Sequence, residues 1–325
     1  MADNTGLELT GSVLSTVYNT TVSDSLESVA VGGAASTPAS VWKNKNLVEV
    51  LDAMLFPDLS PTYVIPTANI TASQSGVKEI GVTISQPLVL TTIENDAGVF
   101  SNLTLRRNGN AIQSVSDPAG SQGSDLSDQY GYTNPNNPNL VYTLSYTDTV
   151  VVTAGTTSWS GTGTYGSGLA KNNNKGVTDP RSAQVRSANA PQASASINTS
   201  SVSINGIYPY FWGKSSTQPT ALSVAAEIAN GTSNKVLTAA SGTVTVAYDA
   251  YAEYIWMAHP AAYTVKTRWY NTELNQGNIG GGNFILTPLT VAVTSPDGNW
   301  SNVTYVIYIS DVATSTDGDL QFRNL

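Results

Sequence analysis

From Pro61 onward, apolar residues recur in short runs that alternate with polar ones, and Gly, Pro, Asn or Asp closes run after run. A period of two is the mark of strands with one face on a core, and it leaves little room for a helical architecture. Tyr63 to Ile70, Val77 to Ile84, Leu88 to Ile93 and Phe100 to Arg106 read as strands, and Asn108-Gly109 is a hairpin signal. Tyr142 to Tyr146, Thr149 to Thr153 and Thr156 to Tyr165 continue the pattern. After a polar stretch it resumes with Val202 to Ile207, Gly242 to Tyr248, Tyr251 to Met257, Tyr263 to Tyr270, Phe284 to Val293 and Val303 to Ile309. The fold class expected is all-β, with two sandwich-like, immunoglobulin-like domains.

The 325 residues divide on this reading into an extended N-terminal arm (1–40), a helix plus β-domain (41–170), a polar linker (171–193) and a C-terminal β-sandwich (194–325). The arm is poor in large apolar groups, but Leu7 to Thr10 and Val13 to Tyr18 alternate and could add as strands to another chain. One amphipathic helix is expected after it. Asn46 caps it, Glu49 completes a capping box, and Leu47, Val50, Leu51, Met54 and Leu55 form its apolar stripe before Pro57. This is the expected anchoring helix. Leu222 to Ala229 is a second, short helical candidate, and residues 114–139 form a long polar insertion.

Charged residues make up only 11% of the chain, against about 25% in an ordinary soluble domain. Ser, Thr, Asn and Gly solvate the surface instead. A net charge of −9, with no Lys or Arg in the first 42 residues, argues against binding nucleic acid through phosphate neutralisation. The absence of cysteine excludes disulfides, thiol nucleophiles and cysteine-ligated metals. No apolar run reaches the length of a membrane helix and no export signal opens the chain, so synthesis in a bacterial cytoplasm without membrane insertion is expected. Seven Asn-x-Ser/Thr sequons follow from composition.

The residues that could carry chemistry are few. His259 is the only histidine and follows an apolar strand directly, which suits a structural imidazole. Asp249 and Glu253, or Asp311, Asp317 and Asp319, supply carboxylates, but nothing in their spacing selects a glycosidase pair or a calcium loop. Gly277 to Gly282 lacks the Lys and helix of a phosphate loop. Aromatic rings are the best contact candidates, because flat faces stack on sugars and on partner surfaces. Tyr208, Tyr210, Trp212, Trp256, Trp269 and Trp300 form that set, with core filling as the competing role.

Several stretches resemble a domain that recurs in structural proteins of tailed phages of Bacteroidetes, the crAss-like phages included. They are Lys175 to Ser182, Ile207 to Lys214, Tyr254 to Ala261, Thr267 to Tyr270 with Leu274 to Gly280, and Tyr305 to Ser310. Leu47 to Pro61 is similar to the helix that opens the preceding immunoglobulin-like domain in such proteins. The resemblance implies a virion location, in a head fibre, tail fibre or decoration protein. It implies partners among capsid, neck or tail proteins; a homo-oligomer is expected with them, and surfaces low in charge and rich in Thr, Asn and aromatics could hold bacterial surface glycan weakly and gain through multivalency. It brings no cofactor, metal or catalytic residue. A secreted carbohydrate-binding or adhesion module and a capsular polysaccharide depolymerase are the alternative classes.

Overall fold

The computed structural model describes residues 55–56, 59–118, 141–181, 191–237, 243–248, 253–263, 267–271, 276–277, 289–310 and 318–324, with backbone alone for 243–248, 267–271, 276–277 and 318–324. The chain is all-β apart from one short helix among these residues. Of the expected anchoring helix, Leu55 alone falls among them; Leu47, Val50, Leu51 and Met54 lie outside, as do the arm and most of the polar insertion.

Nine strands build the first sandwich. They are β1 (Thr67–Ala72), β2 (Gly76–Glu79), β3 (Thr83–Ile93), β4 (Phe100–Arg107), β5 (Asn110–Ser116), β6 (Val141–Val151), β7 (Gly155–Tyr165), β8 (Ala195–Asn198) and β9 (Val202–Ile207). One sheet runs β1-β3-β6; the other runs β2-β9-β7-β4-β5, with β8 also on β7. This is the immunoglobulin-type division, with the first strand split so that β1 joins one sheet and β2 pairs in parallel with β9 in the other. Alternation decides the faces. In β3, Ile84, Leu88 and Leu90 point inward, where they meet Leu103, Leu105, Trp159 and Ile204 from the facing sheet.

Local chemistry fixes several details. Asn108 and Gly109 join β4 to β5 with φ of 48° and 82°, the positive values a two-residue hairpin turn of type I′ requires. Pro87 lies in a central strand, which removes one ladder donor. The neighbouring Gln86 side chain compensates: its carboxamide donates to the Gln74 carbonyl (2.7 Å) and accepts from the Gln74 N–H (3.0 Å), much as another strand residue would.

Two strands depart from the expected division of the chain. Residues 195–207, read from sequence as the start of the C-terminal domain, pair with β7 and β2 and bring Ile197 and Ile204 into the first core. Period-two alternation marks a strand but not its sheet, and the long polar stretch before β8 mimics a boundary. The second unit therefore begins just after Ile207.

That unit contains β10 (Tyr210–Ser215), a helix α1 (Ala221–Ala229), β11 (Asn234–Val236), β12 (Thr243–Tyr248), β13 (Tyr254–Pro260), β14 (Thr267–Asn271), β15 (Gln276–Gly277), β16 (Leu289–Val293), β17 (Val303–Ile309) and β18 (Gly318–Asn324). One sheet is ordered β11-β10-β13-β17-β16 and the other β12-β18-β14-β15. The helix places Val224 and Ile228 on Phe211, Trp256, Tyr305 and Ile307, closing one face of the first of these sheets. Ile255 and Met257 point to the opposite face and are also fully buried, so β13 is a central strand covered on both sides.

Thr220 starts α1 through a reciprocal capping box. Its Oγ1 accepts from the Ser223 N–H (3.1 Å), and Ser223 Oγ accepts from the Thr220 N–H (2.8 Å). Thr220→Ala is expected to destabilise the second unit by about 1 kcal/mol, read as a lower denaturant midpoint, whereas Thr220→Asp should stay near wild type.

Candidate functional site

The first sandwich has two unlike poles. At the distal pole, Tyr208 and Pro209 alone separate β9 from β10, so the second unit is joined there with almost no intervening chain. Glu79, at the end of β2, is the hub of the junction. Its carboxylate accepts from the indole N–H of Trp300 (3.0 Å) and from Lys235 Nζ (3.0 Å), and Lys235 also meets Asp297 at 2.9 Å. Partial burial works against the Lys235 charge, but the Asp297 and Glu79 carboxylates outweigh it and hold its pKa above the usual lysine value. Gly81 has φ of +84°, and a Cβ there would collide with the Asn299 backbone. The close approach needs a glycine.

The proximal pole is where the chain enters from residue 59. It gathers the segment before β1, the turn between β3 and β4, the start of β6 and the loop after β7. Charged and polar groups staple these pieces together. Tyr63 Oη donates to Asp179 Oδ2 (3.1 Å) and accepts from the Lys171 N–H (2.9 Å). Lys171 Nζ donates to the buried Asp96 (2.7 Å) and to the Thr62 carbonyl. Arg181 pairs with Asp179 and donates to the Pro61 carbonyl, and its guanidinium holds the Asp179 carboxyl well below the usual carboxylate range. Burial raises the Tyr63 phenol. Asn174 Oδ1 accepts from the Leu59 N–H at 2.8 Å. Residues 171–181, expected as solvated linker, are thus folded onto this pole.

Around these staples, large apolar side chains stand in solvent: Leu59, Val64, Val99, Val141, Leu169 and Val177 are all exposed, with Leu55 and Phe56 just before them in the chain. Scattered single apolar residues are ordinary on a surface. Here they gather at one end of the sandwich.

The aromatic candidates lie elsewhere and mostly inside. Trp256 is fully buried beneath α1, with its N–H donated to Glu227 (3.1 Å), whose carboxyl burial pushes upward in pKa. Trp300 is buried, stacked on Tyr305 with centroids 5.7 Å apart. Tyr210 is buried and its phenol is pushed up to about 12. Those three rings are themselves buried and so out of reach of a sugar face. Tyr208 and Trp212 are half-buried; Tyr208 packs edge-on against Trp300 (5.3 Å). Trp269 falls in β14, where its side chain lies outside the described residues.

His259 is buried between Tyr308 (5.8 Å, stacked) and Tyr210, with Nδ1 2.9 Å from the Pro260 carbonyl and Nε2 without a hydrogen-bond partner among the described residues. Burial lowers its pKa from the ordinary 6.5. A base whose pKa is depressed on folding favours the folded state while neutral, and that preference is lost as pH falls through the unfolded value. Between about pH 7 and pH 5 the chain should therefore lose stability, and His259→Phe should flatten that slope in denaturation curves. An unchanged slope would assign the pH dependence to other groups. Of the carboxylate candidates, Glu253 faces Lys214 at 3.7 Å, Asp319 lies in β18 by backbone alone, and Asp249, Asp311 and Asp317 fall outside the described residues.

A scan against protein-family models finds no match to this chain, and a search of curated proteins finds none either. Among the described residues, no group of three or more His, Asp or Glu side chains is placed to hold a metal, and no helix is long and apolar enough to cross a membrane.

Proposed function

We propose that this chain is a non-enzymatic structural component of a bacteriophage virion, a fibre or decoration protein on the head, neck or tail. Its N-terminal side anchors it, and its second unit is presented outward. The observation that carries the reading is the polarity of the first sandwich: exposed apolar side chains gather at the pole where the N-terminal residues join, and the second unit is fixed at the opposite pole. An attachment end and a display end need that separation. The resemblance of Lys175 to Ser182, Ile207 to Lys214 and Tyr254 to Ala261 to phage structural proteins supports the same assignment. Symmetric self-association and capsid, neck or tail partners belong to it. The half-exposed Tyr208 and Trp212 are the rings left for weak, multivalent holding of host glycan.

Mass spectrometry of purified particles, followed by cryo-electron microscopy of the virion, tests the proposal. Density for the chain is expected with the proximal pole toward a capsid, neck or tail protein and residues 208–325 outermost. Absence of the chain from particles would end the virion reading, and the reverse orientation would end the assignment of the anchor.

A further inference from the structure

Chains of two units bend where the units join unless something removes the hinge. Here the join is two residues, Tyr208 and Pro209, and neither is free to turn. The proline ring fixes its own φ and confines the residue before it to extended backbone. Phenols of the second unit take the polar backbone groups of the pair. Tyr208 donates its N–H to Tyr263 Oη (2.7 Å), the same hydroxyl donates back to the Tyr208 carbonyl (3.1 Å), and Tyr305 Oη donates to the Pro209 carbonyl (2.9 Å). Burial raises the pKa of both phenols, so each keeps its donor proton at neutral pH.

A second attachment lies beside this one. The Glu79 carboxylate, from the first unit, accepts from the Trp300 indole and from Lys235 Nζ, both in the second. Gly81 comes so close to the Asn299 carbonyl that no Cβ fits between them. The Tyr208 ring packs edge-on against Trp300 and so ties the two attachments together. A join through the chain alone can bend and twist. Contacts on one side of it oppose both motions.

We propose that the two units form one rigid body, in which Tyr263, Tyr305 and the contact of Glu79 with Trp300 lock Tyr208-Pro209 at a fixed angle. The direction in which the second unit points is then set within the chain and needs no partner to fix it. This holds whether or not the protein is a virion component, since it concerns contacts within one chain.

Residual dipolar couplings of the full-length protein, isotopically labelled and weakly aligned, test this directly. Couplings from β1 to β9 and those from α1, β10, β13 and β17 should fit one alignment tensor, with equal magnitude for the two units. The double variant Glu79→Ala, Tyr263→Phe removes one group from each attachment. Its second unit should show a tensor magnitude roughly half that of the first, while the couplings of each unit still fit its own fold. Tyr263→Phe alone should give a smaller fall in the same direction, and it carries the test if the double variant does not fold. Unequal magnitudes in the wild-type protein would overturn the proposal outright. Equal magnitudes in the variants would overturn the assignment of the lock to these groups.

Discussion

Trp300→Ala is expected to destabilise the second unit by about 3–5 kcal/mol, the range for removing a buried Trp side chain. The ring is buried, stacks on Tyr305 and packs against Phe211 and Tyr208, so truncation leaves a cavity at the top of the core. It also removes the indole N–H from Glu79, a nearly buried carboxylate then left with Lys235 alone at the junction. Trp300→Phe separates the two contributions. It keeps most of the packing and loses the hydrogen bond, so its cost should be about 1–3 kcal/mol. Denaturant unfolding followed by tryptophan fluorescence measures both. A loss under about 1 kcal/mol for the alanine variant would mean that the core collapses around the gap and that the junction does not depend on this ring.

In the first sandwich the largest polar effect should come from Asp148→Ala, at about 2–4 kcal/mol. Asp148 is buried on β6 and accepts from the indole N–H of Trp159 at 2.7 Å and from Arg107 at 3.0 and 3.1 Å. Trp159 is fully buried, so its N–H has no water to turn to once the carboxylate is gone. Arg107 is about one-third exposed and can rehydrate, which is why the expected value stays below that for a fully buried ion pair. Asp148→Asn keeps an acceptor and should recover about half of the loss. If alanine and asparagine were equally mild, the indole would have to find another acceptor, and a shift in its emission would show it.

Much of the architecture was legible in the sequence, and for identifiable reasons. The alternation of Leu88 and Leu90 and the Asn108-Gly109 pair report directly on backbone geometry, so they survive translation into structure, whereas Ile84, read as the end of the strand Val77 to Ile84, belongs with them in the single strand β3. The short helical candidate Leu222 to Ala229 is observed as Ala221–Ala229. Sheet membership was not legible: β8 and β9 return to the first sandwich after a long excursion, and nothing local to residues 195–207 says which partner they will find. The aromatic candidates show the same limit. Alternation along Tyr210 to Trp212 tells which side each ring faces, but not that Tyr210 and Phe211 are buried while Trp212 is only partly so.

The polar staples were missed because each joins residues far apart in sequence: Tyr63 with Asp179, Lys171 with Asp96, Glu79 with Trp300 and Lys235. A usable signal was present. In a chain with so few charges, the concentration of Lys171, Lys175, Asp179 and Arg181 in one short stretch is conspicuous. Of these, Lys171, Asp179 and Arg181 are all in ion pairs.

The split first strand has a mechanical consequence. A pull that separates the proximal pole from the second unit draws on β2 from its N-terminal side and on β9 from its C-terminal side. Because Gly76–Glu79 and Ile204–Ile207 run in parallel, the load lies along both strands and in opposite senses. Their hydrogen bonds are sheared together rather than peeled one by one, so the sandwich resists tension along the line of attachment far better than its short pairing suggests.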